Sequence, residues 1–526
     1  MAWHFVLNFL NVGFFAQALL TVVCVYLVYK CTKYVFGKEK ATSEQPLKPD
    51  TVGRCLGHRE AIFDLFSVER GGTGNICLTV SLTSKQSLSH QHVRDALVLL
   101  AKRQPMLRAI ITTIANGDKY FEVKEIKEVI TMLDITTFEV KASDWKDVWF
   151  ENTEKQRGNG LLWRVVILQE EFVSDTKDYA NTLMFRFNHS STDGVSCVKF
   201  CKQFLTFVNE IADGATVDQE IPSLNILPYF HDIVTQKRTL YSVLNFMLTY
   251  CGLRPILRFF MQRFIARRLE TTKCNPYYSQ FPPSLDVSSF AGPNRLSAKV
   301  FTESETKNII QACKANNCTV TGALTAAAHL AFCELIQDGM KGNKDAKLKC
   351  ECAINAQRCC DPKPHEDYLG YFVYVFNELY MKYETGTDVN FWKMAQETTN
   401  EIHDFVKTEG YIINETIICE TMKPRELVDQ VDREVLIRFS CCNFISSFGS
   451  FNFDQNQEEQ TYKLQECFVN SLNHGFAETF LHLNHTINGK MSWSIVSDVS
   501  RVESRHAEKF ASLCFGRFIE IARGRA

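Results

Sequence analysis

The stretch Phe187 to Ser196, FNHSSTDGVS, decides which fold this sequence predicts. Just before it, Leu183 to Phe187 (LMFRF) has the composition of a short strand. Just after it, Val195 to Ile211 places apolar residues three and four apart, which predicts a helix. A strand that leads into a small polar turn, from which a helix leaves, is typical of α/β chains. We therefore expect a mixed α/β fold.

The polar turn carries a candidate catalytic group. Acyl transfer to a hydroxyl or an amine needs a base that titrates near neutrality, and the imidazole of His189 suits that role. Asp193, four residues on, would fix the turn rather than touch substrate, and Gly194 would allow a close approach of the backbone. The plain alternative is a loop histidine next to an aspartate. Because His-x-x-x-Asp-Gly arises by chance in about 3% of chains with this composition, the motif needs support from elsewhere.

Further stretches supply that support. They are RCLGHREAIF (residues 54–63), LLAKRQPMLRAII (99–111), GLLWRVVIL (160–168), CKANNCTVTGALTAAAHLAF (313–332), INAQRCC (354–360), YLGYFV (368–373) and ISSFGSF (445–451). Together with the motif they resemble, in order and spacing, the CoA-dependent acyltransferase superfamily, which includes chloramphenicol acetyltransferase and peptide-synthetase condensation domains. The alcohol acetyltransferase branch is the most similar in pattern. The plant BAHD branch is disfavoured, because the sequence has no Asp-Phe-Gly-Trp-Gly element.

The resemblance implies two chloramphenicol acetyltransferase-like subdomains with a tunnel between them. Acyl-CoA, a co-substrate rather than a bound cofactor, would enter one mouth and the acceptor the other. His189 would take the proton of the acceptor hydroxyl without an acyl-enzyme. Asp193 would be structural and paired with Arg358, which stands one position away from the arginine of the family pattern. Oxyanion donors are expected in a loop with Ser446 and Ser447.

The N-terminus predicts a membrane anchor. Val12 to Tyr29 (VGFFAQALLTVVCVYLVY) is long enough to cross a bilayer as one helix. Four lysines follow within residues 30–40, so we expect a single-pass protein with its catalytic domain in the cytosol, for instance at the endoplasmic reticulum. A glycosylation sequon at Asn188 overlaps the motif, which also disfavours a lumenal domain. A lumenal orientation and a cleaved signal peptide remain alternatives, although no basic n-region or cleavage site is evident.

Composition narrows the function classes. A chain of 526 residues predicts two subdomains, and a net charge of −2 excludes a global field for nucleic acid. The 20 cysteines include no Cys-x-x-Cys, so free thiols are expected and no metal site. Cys197 and Cys201 are not expected to be nucleophiles, because a direct transfer needs none. Nothing in the sequence requires a second copy, and we expect a monomer.

The chain divides into five predicted segments. They are a membrane anchor (1–36), a tether (37–52), an N-terminal acyltransferase subdomain with the motif (53–221), a crossover (222–295) and a C-terminal acyltransferase subdomain (296–526). The crossover contains Cys251 to Leu269, an apolar stretch whose five arginines do not gather on one helical face. We expect a connection with solvated arginines, and contact with a membrane surface is the alternative.

The predicted membrane anchor and the content of 40 phenylalanines favour an apolar alcohol, such as a lipid, sterol or terpenoid, as the acceptor. Two alternatives stay open: a wax ester or acylglycerol-type synthase, and a catalytically inactive binding or scaffold protein of the same fold. A hydrolase is disfavoured, because the sequence has no Gly-x-Ser-x-Gly element.

Overall fold

The computed structural model describes residues 52–525 apart from residues 116, 152–159, 237, 239–246, 249–251, 272–274, 283–292, 341–345, 386–388, 430–440, 454–458 and 474–477. The predicted membrane helix and all but the last residue of the tether therefore lie outside the described residues.

The strands of the described ranges are β1 (Gly53–Cys55), β2 (Ile76–Ser84), β3 (Ala109–Thr113), β4 (Lys119–Val123), β5 (Ile135–Lys141), β6 (Trp163–Gln169), β7 (Glu171–Val173), β8 (Asp178–Phe187), β9 (Asn294–Phe301), β10 (Lys347–Asn355), β11 (Val373–Lys382), β12 (Cys441–Phe451), β13 (Tyr462–Ser471), β14 (Glu478–Ile487) and β15 (Lys490–Asp498).

The α-helices are α1 (His58–Glu69), α2 (His90–Arg103), α3 (Ile126–Met132), α4 (Trp145–Val148), α5 (Gly194–Ala212), α6 (Phe230–Thr235), α7 (Leu253–Thr271), α8 (Pro276–Gln280), α9 (Glu303–Ala315), α10 (Val320–Ile336), α11 (Phe391–Lys407), α12 (Gly410–Thr421) and α13 (Ser504–Ala522). The mixed α/β class is confirmed.

The N-terminal half is built on a sheet of order β13-β2-β8-β6-β5, with β7 on the edge of β8. Its β13 comes from late in the chain and pairs antiparallel with β2 over nearly its whole length. The predicted C-terminal segment, residues 296–526, therefore contributes one strand to the sheet of the N-terminal half. A strand donated across the halves makes each half depend on the other.

The C-terminal half is built on a six-stranded sheet of order β11-β10-β12-β14-β15-β9, in which β10, β12 and β14 run parallel. Helix α10 packs in the core of this half. Small residues let it approach its neighbours closely: a Cβ on Gly322 would lie 2.1 Å from the Thr399 hydroxyl. Within the described residues, Val320–Met340 is the one helix long and apolar enough to cross a membrane, but 78% of its apolar window is buried, as expected of a core helix.

The arginine-rich crossover forms helix α7. Arg254 and Arg258 pair with Glu420 and Glu426, so two of the five arginines face the protein rather than solvent alone. The two arginine side chains remain 48% and 39% exposed, so these ion pairs are compatible with the expected connection with solvated arginines. On the other side Phe259 and Phe260 are 55% and 45% exposed.

Candidate active site

A cavity of about 400 Å³ lies against one face of the C-terminal sheet. Helices α1 and α12 form the opposite wall, and His189, Asp193 and Gly194 from the N-terminal half close one end. Side chains of β10, β11, β12 and β14 form its floor. The motif predicted from sequence therefore opens into a cavity between the two halves.

His189 follows directly on β8 and precedes α5, as the sequence predicted. Its Nδ1 lies 2.7 Å from the carbonyl oxygen of Thr192. Because a carbonyl oxygen only accepts, Nδ1 must carry the proton and donate it to that bond. The neutral ring then keeps the lone pair on Nε2, which has no hydrogen bond to any residue that the structure describes. His189 lines the cavity, so this nitrogen is available to a ligand proton.

Aromatic rings hold the imidazole in place. The Phe63 ring centroid is 4.1 Å away and that of Tyr371 is 5.4 Å away. Burial in this apolar surrounding lowers the pKa of His189 to about 4, although the bond to Thr192 acts in the opposite direction. The side chain is therefore neutral at physiological pH, as a general base must be.

Asp193 holds the turn through backbone groups. Its Oδ1 accepts from the Ser196 N–H at 2.7 Å, which caps α5, and its Oδ2 accepts from the Phe372 N–H at 2.9 Å, across the interface between the halves. The structural role expected for Asp193 fits this geometry, but the expected pairing with Arg358 is wrong. Arg358 is exposed on a 3-10 turn, Ala356–Cys359, and both carboxylate oxygens are already satisfied.

Two further contacts fix the motif against the C-terminal half. The Ser196 hydroxyl donates to the Gly370 carbonyl at 2.8 Å and accepts from the Gly370 N–H at 3.1 Å. At Gly194 the Phe448 ring packs directly on the backbone, and an added Cβ would lie 2.1 Å from that ring. The glycine is therefore needed for close packing, in line with the close approach expected from sequence.

Ser446 and Ser447 do not lie in a loop. They belong to β12, which pairs with β14 at Leu483 and Asn484, so the loop prediction is wrong. The loop was implied by the family resemblance, whereas in this strand Gly449, with a φ of +96°, marks an irregularity in the pairing. Both serines are half-buried and line the cavity, and their role as oxyanion donors stays a prediction.

The sequence reasoning missed a buried ion pair in the cavity wall. Arg59 on α1 donates to both carboxylate oxygens of Glu415 on α12, at distances down to 2.7 Å. Although burial acts against it, the guanidinium lowers the pKa of Glu415. The stretch RCLGHREAIF already contained Arg59 and Phe63, but 356 residues separate Arg59 from its partner.

Metal and thiol chemistry find little support in the described residues. His58, Glu415 and Cys419 bring potential ligand atoms within 4.8 Å of one another. Glu415, however, is already bound to Arg59, and His58 Nε2 lies 2.9 Å from the Met422 carbonyl. Burial raises the pKa of the Cys197 and Cys201 thiols well above the ordinary value, so neither is a thiolate nucleophile.

The lowered pKa of His189 predicts an unusual pH profile. Activity through neutral Nε2 should be constant between about pH 6 and pH 8 and fall only as the pH approaches 4, because protonation removes the base. Measurements of kcat/KM from about pH 4 to pH 8 would test this profile, and circular dichroism at each pH would show whether the protein stays folded. A midpoint near the ordinary 6.5 would show a solvated imidazole and contradict the geometry.

Comparisons with known proteins agree with this architecture. The family model "Alcohol acetyltransferase" matches residues 149–515. TRI3 trichothecene 15-O-acetyltransferase from Fusarium sporotrichioides is similar in structure, with a TM-score of 0.65 and 11% identity over 91% of this chain and 97% of that chain. Polyketide synthase associated protein 5 from Mycobacterium tuberculosis gives 0.57 and 10% identity over 90% and 99%, and the epimerization domain of the third module of tyrocidine synthetase B gives 0.57 and 12% over 92% and 99%. No curated protein matches in sequence.

Proposed function

Since the chain belongs to the alcohol acetyltransferase family, we propose that it transfers an acyl group, acetyl in the simplest case, from acyl-CoA to the hydroxyl of an apolar alcohol, with His189 as general base. The observation that carries the proposal is the Nδ1–Thr192 bond of 2.7 Å, which leaves Nε2 of a neutral imidazole open to the cavity. The name of the structural neighbour TRI3, a 15-O-acetyltransferase, supports an oxygen acceptor and an acetyl donor.

The reaction balances as one direct transfer. Nε2 of His189 takes the hydroxyl proton while the alcohol oxygen attacks the thioester carbonyl. The carbon–sulfur bond of the tetrahedral intermediate then breaks, and His189 returns the proton to the leaving CoA thiolate. The Ser446 and Ser447 hydroxyls are the candidate donors to the oxyanion. An ester and free CoA are the products.

An apolar acceptor is supported by the side chains that line the cavity. They include Ile62, Phe63, Phe66, Val375, Phe444, Leu481 and Leu483. A small polar alcohol would leave this apolar surface in contact with water, whereas a lipid, sterol or terpenoid skeleton would bury it. Burial of apolar surface stabilises a complex by about 25 cal/mol per Å².

The catalytic step is tested by acceptor-dependent release of CoA. Purified full-length protein in detergent, given acetyl-CoA and a pool of lipid-extract alcohols, should release CoA thiol faster than with acetyl-CoA alone. An equal rate of CoA release with and without alcohols would contradict the proposed transfer to an alcohol. No release at all, across several acyl-CoA chain lengths, would favour an inactive binding protein of the same fold.

We also propose that the protein acts at a membrane surface. Support comes from the apolar stretch Val12 to Tyr29 and from Ile256, Phe259 and Phe260, which are 42–55% exposed on α7. Met261, on the same helix, lines the cavity, so α7 connects this exposed face with the site. An apolar alcohol would then reach the cavity from the bilayer.

Vesicle flotation tests the membrane proposal. The full chain should float with liposomes in high salt. Removal of residues 1–40 should leave weaker binding, which Phe259→Ser with Phe260→Ser should abolish, since both rings would insert at the interface. Truncated protein that floats equally well with and without the serine changes would exclude α7 as the contact.

A further inference from the structure

The end of the cavity away from His189 is charged. There, Lys349 on β10 pairs with Cys441 on β12, and Cys441 pairs with Glu478 on β14, so the three residues lie side by side across the sheet. Lys349 pairs with Glu351, and these two side chains and that of Glu478 line the cavity. We call Lys349, Glu351 and Glu478 the charged end of the cavity. They lie on strands that also extend towards His189.

The distance between the two ends follows from the strand geometry. Val373, next to the motif contact Phe372, pairs with Asn355 at the last position of β10. Lys349 lies six positions earlier on that strand, and a rise of about 3.3 Å per residue separates the two positions by about 20 Å. The side chains between them include Ala353, Phe444 and Leu481, so the middle of the cavity is apolar.

Glu478 is an unusual residue for such a place. It is 8% exposed and lines the cavity, and its carboxyl accepts a hydrogen bond from its own backbone N–H. Burial, together with the nearby negative charge of Glu351, raises the pKa of Glu478 to about 8, although the backbone hydrogen bond and the positive charges of Arg501 and Lys349 act in the opposite direction. At neutral pH the group is mostly a carboxylic acid, which both donates and accepts hydrogen bonds.

This end is unsuited to hydrocarbon. A methyl terminus placed against the charged end would strip water from polar groups without replacing its hydrogen bonds, at a cost of about 1–3 kcal/mol for each group. An acyl tail or a simple fatty alcohol is therefore a poor occupant. An oxygen function of the ligand would satisfy the same groups.

We propose that Glu478, with the Lys349–Glu351 pair, is a recognition subsite for a second polar oxygen, a hydroxyl or carbonyl, at the far end of an elongated apolar acceptor. The reacting hydroxyl of that acceptor lies at His189, about 20 Å away. The inference rests on the proposed function, because it assumes that the cavity holds the acceptor. It defines the acceptor class as a skeleton oxygenated at both ends.

A matched pair of linear alcohols tests the subsite. Hexadecanediol with a hydroxyl at each end spans about 20 Å when extended, and hexadecanol lacks only the second hydroxyl. Their affinities are measured by calorimetry in the same detergent micelles, with the full chain carrying His189→Ala so that no turnover interferes. We expect the diol to bind about ten-fold more tightly. Adding Glu478→Leu should abolish the difference, and Glu478→Gln, which keeps a neutral donor and acceptor, should retain it.

The control is Glu397→Leu, a 63%-exposed position on α11 outside the cavity lining, which should leave the preference intact. Equal affinities of the parent for the two alcohols would overturn the subsite, as would a preference that survives Glu478→Leu in a folded protein. Turnover is measured separately with wild-type protein. A preference in binding without any acyl transfer would count against the proposed function and leave the subsite standing.

Discussion

Replacing His189 with alanine is expected to lower kcat/KM about a thousand-fold, within the range that a positioned general base contributes. The acceptor hydroxyl is a weak nucleophile, and Nε2 of His189 is the proposed acceptor of its proton in the cavity. The hydrogen bonds of the ring are local, to the Thr192 carbonyl and to its own backbone, so its removal should change stability little. The measurement is CoA release against acceptor concentration, with the melting temperature recorded for each variant.

His403→Ala is the matched control. His403 is an exposed histidine on α11, and its removal should leave kcat/KM unchanged. An alanine variant at position 189 that keeps more than about a tenth of the wild-type rate would remove His189 from the chemistry.

Replacing Asp193 with asparagine is expected to destabilise the fold by about 2–3 kcal/mol. Asparagine can still cap α5 by accepting from the Ser196 N–H. Its NH2 group would then face the Phe372 N–H, where Oδ2 now accepts at 2.9 Å, and two donors would be buried against each other. Urea unfolding measures the loss.

The comparison that matters is activity per folded molecule. Asp193 accepts from backbone N–H groups and is not bonded to His189. The folded fraction of Asp193→Asn should therefore retain at least a tenth of the wild-type kcat/KM. A variant with wild-type stability and no activity would assign Asp193 to the chemistry. Asp193→Ala, which loses the cap as well, should be the less stable of the two.

The sequence predicted the local structure of the motif because all of its determinants are local. The apolar strand, the polar turn and the amphipathic helix follow one another, and β8 and α5 lie where the spacing placed them. The N-cap of Asp193 is likewise a contact over three residues. The contact across the interface could not be predicted in the same way, because nothing in the sequence near Asp193 indicates that its Oδ2 accepts from the Phe372 N–H.

The errors have the same origin. The family resemblance implied that Arg358 pairs with Asp193, but that carboxylate instead accepts from backbone N–H groups, which every residue except proline carries. The family resemblance implied a loop at Ser446 and Ser447, but these residues lie in β12, which pairs with β10 and β14. The transfer of β13 to the other sheet was equally hidden, because alternation along a strand does not specify its partner.

The most direct measurement is the fate of a labelled acetyl group. Wild-type protein is incubated with acetyl-CoA carrying ¹³C in the acetyl group and with the diol or an extracted alcohol pool, and the products are analysed by mass spectrometry. The account predicts a labelled alcohol ester in equal amount to the CoA released, and about a thousand-fold slower formation of both products with His189→Ala. Release of CoA with labelled free acetate and no ester would contradict direct transfer to an alcohol.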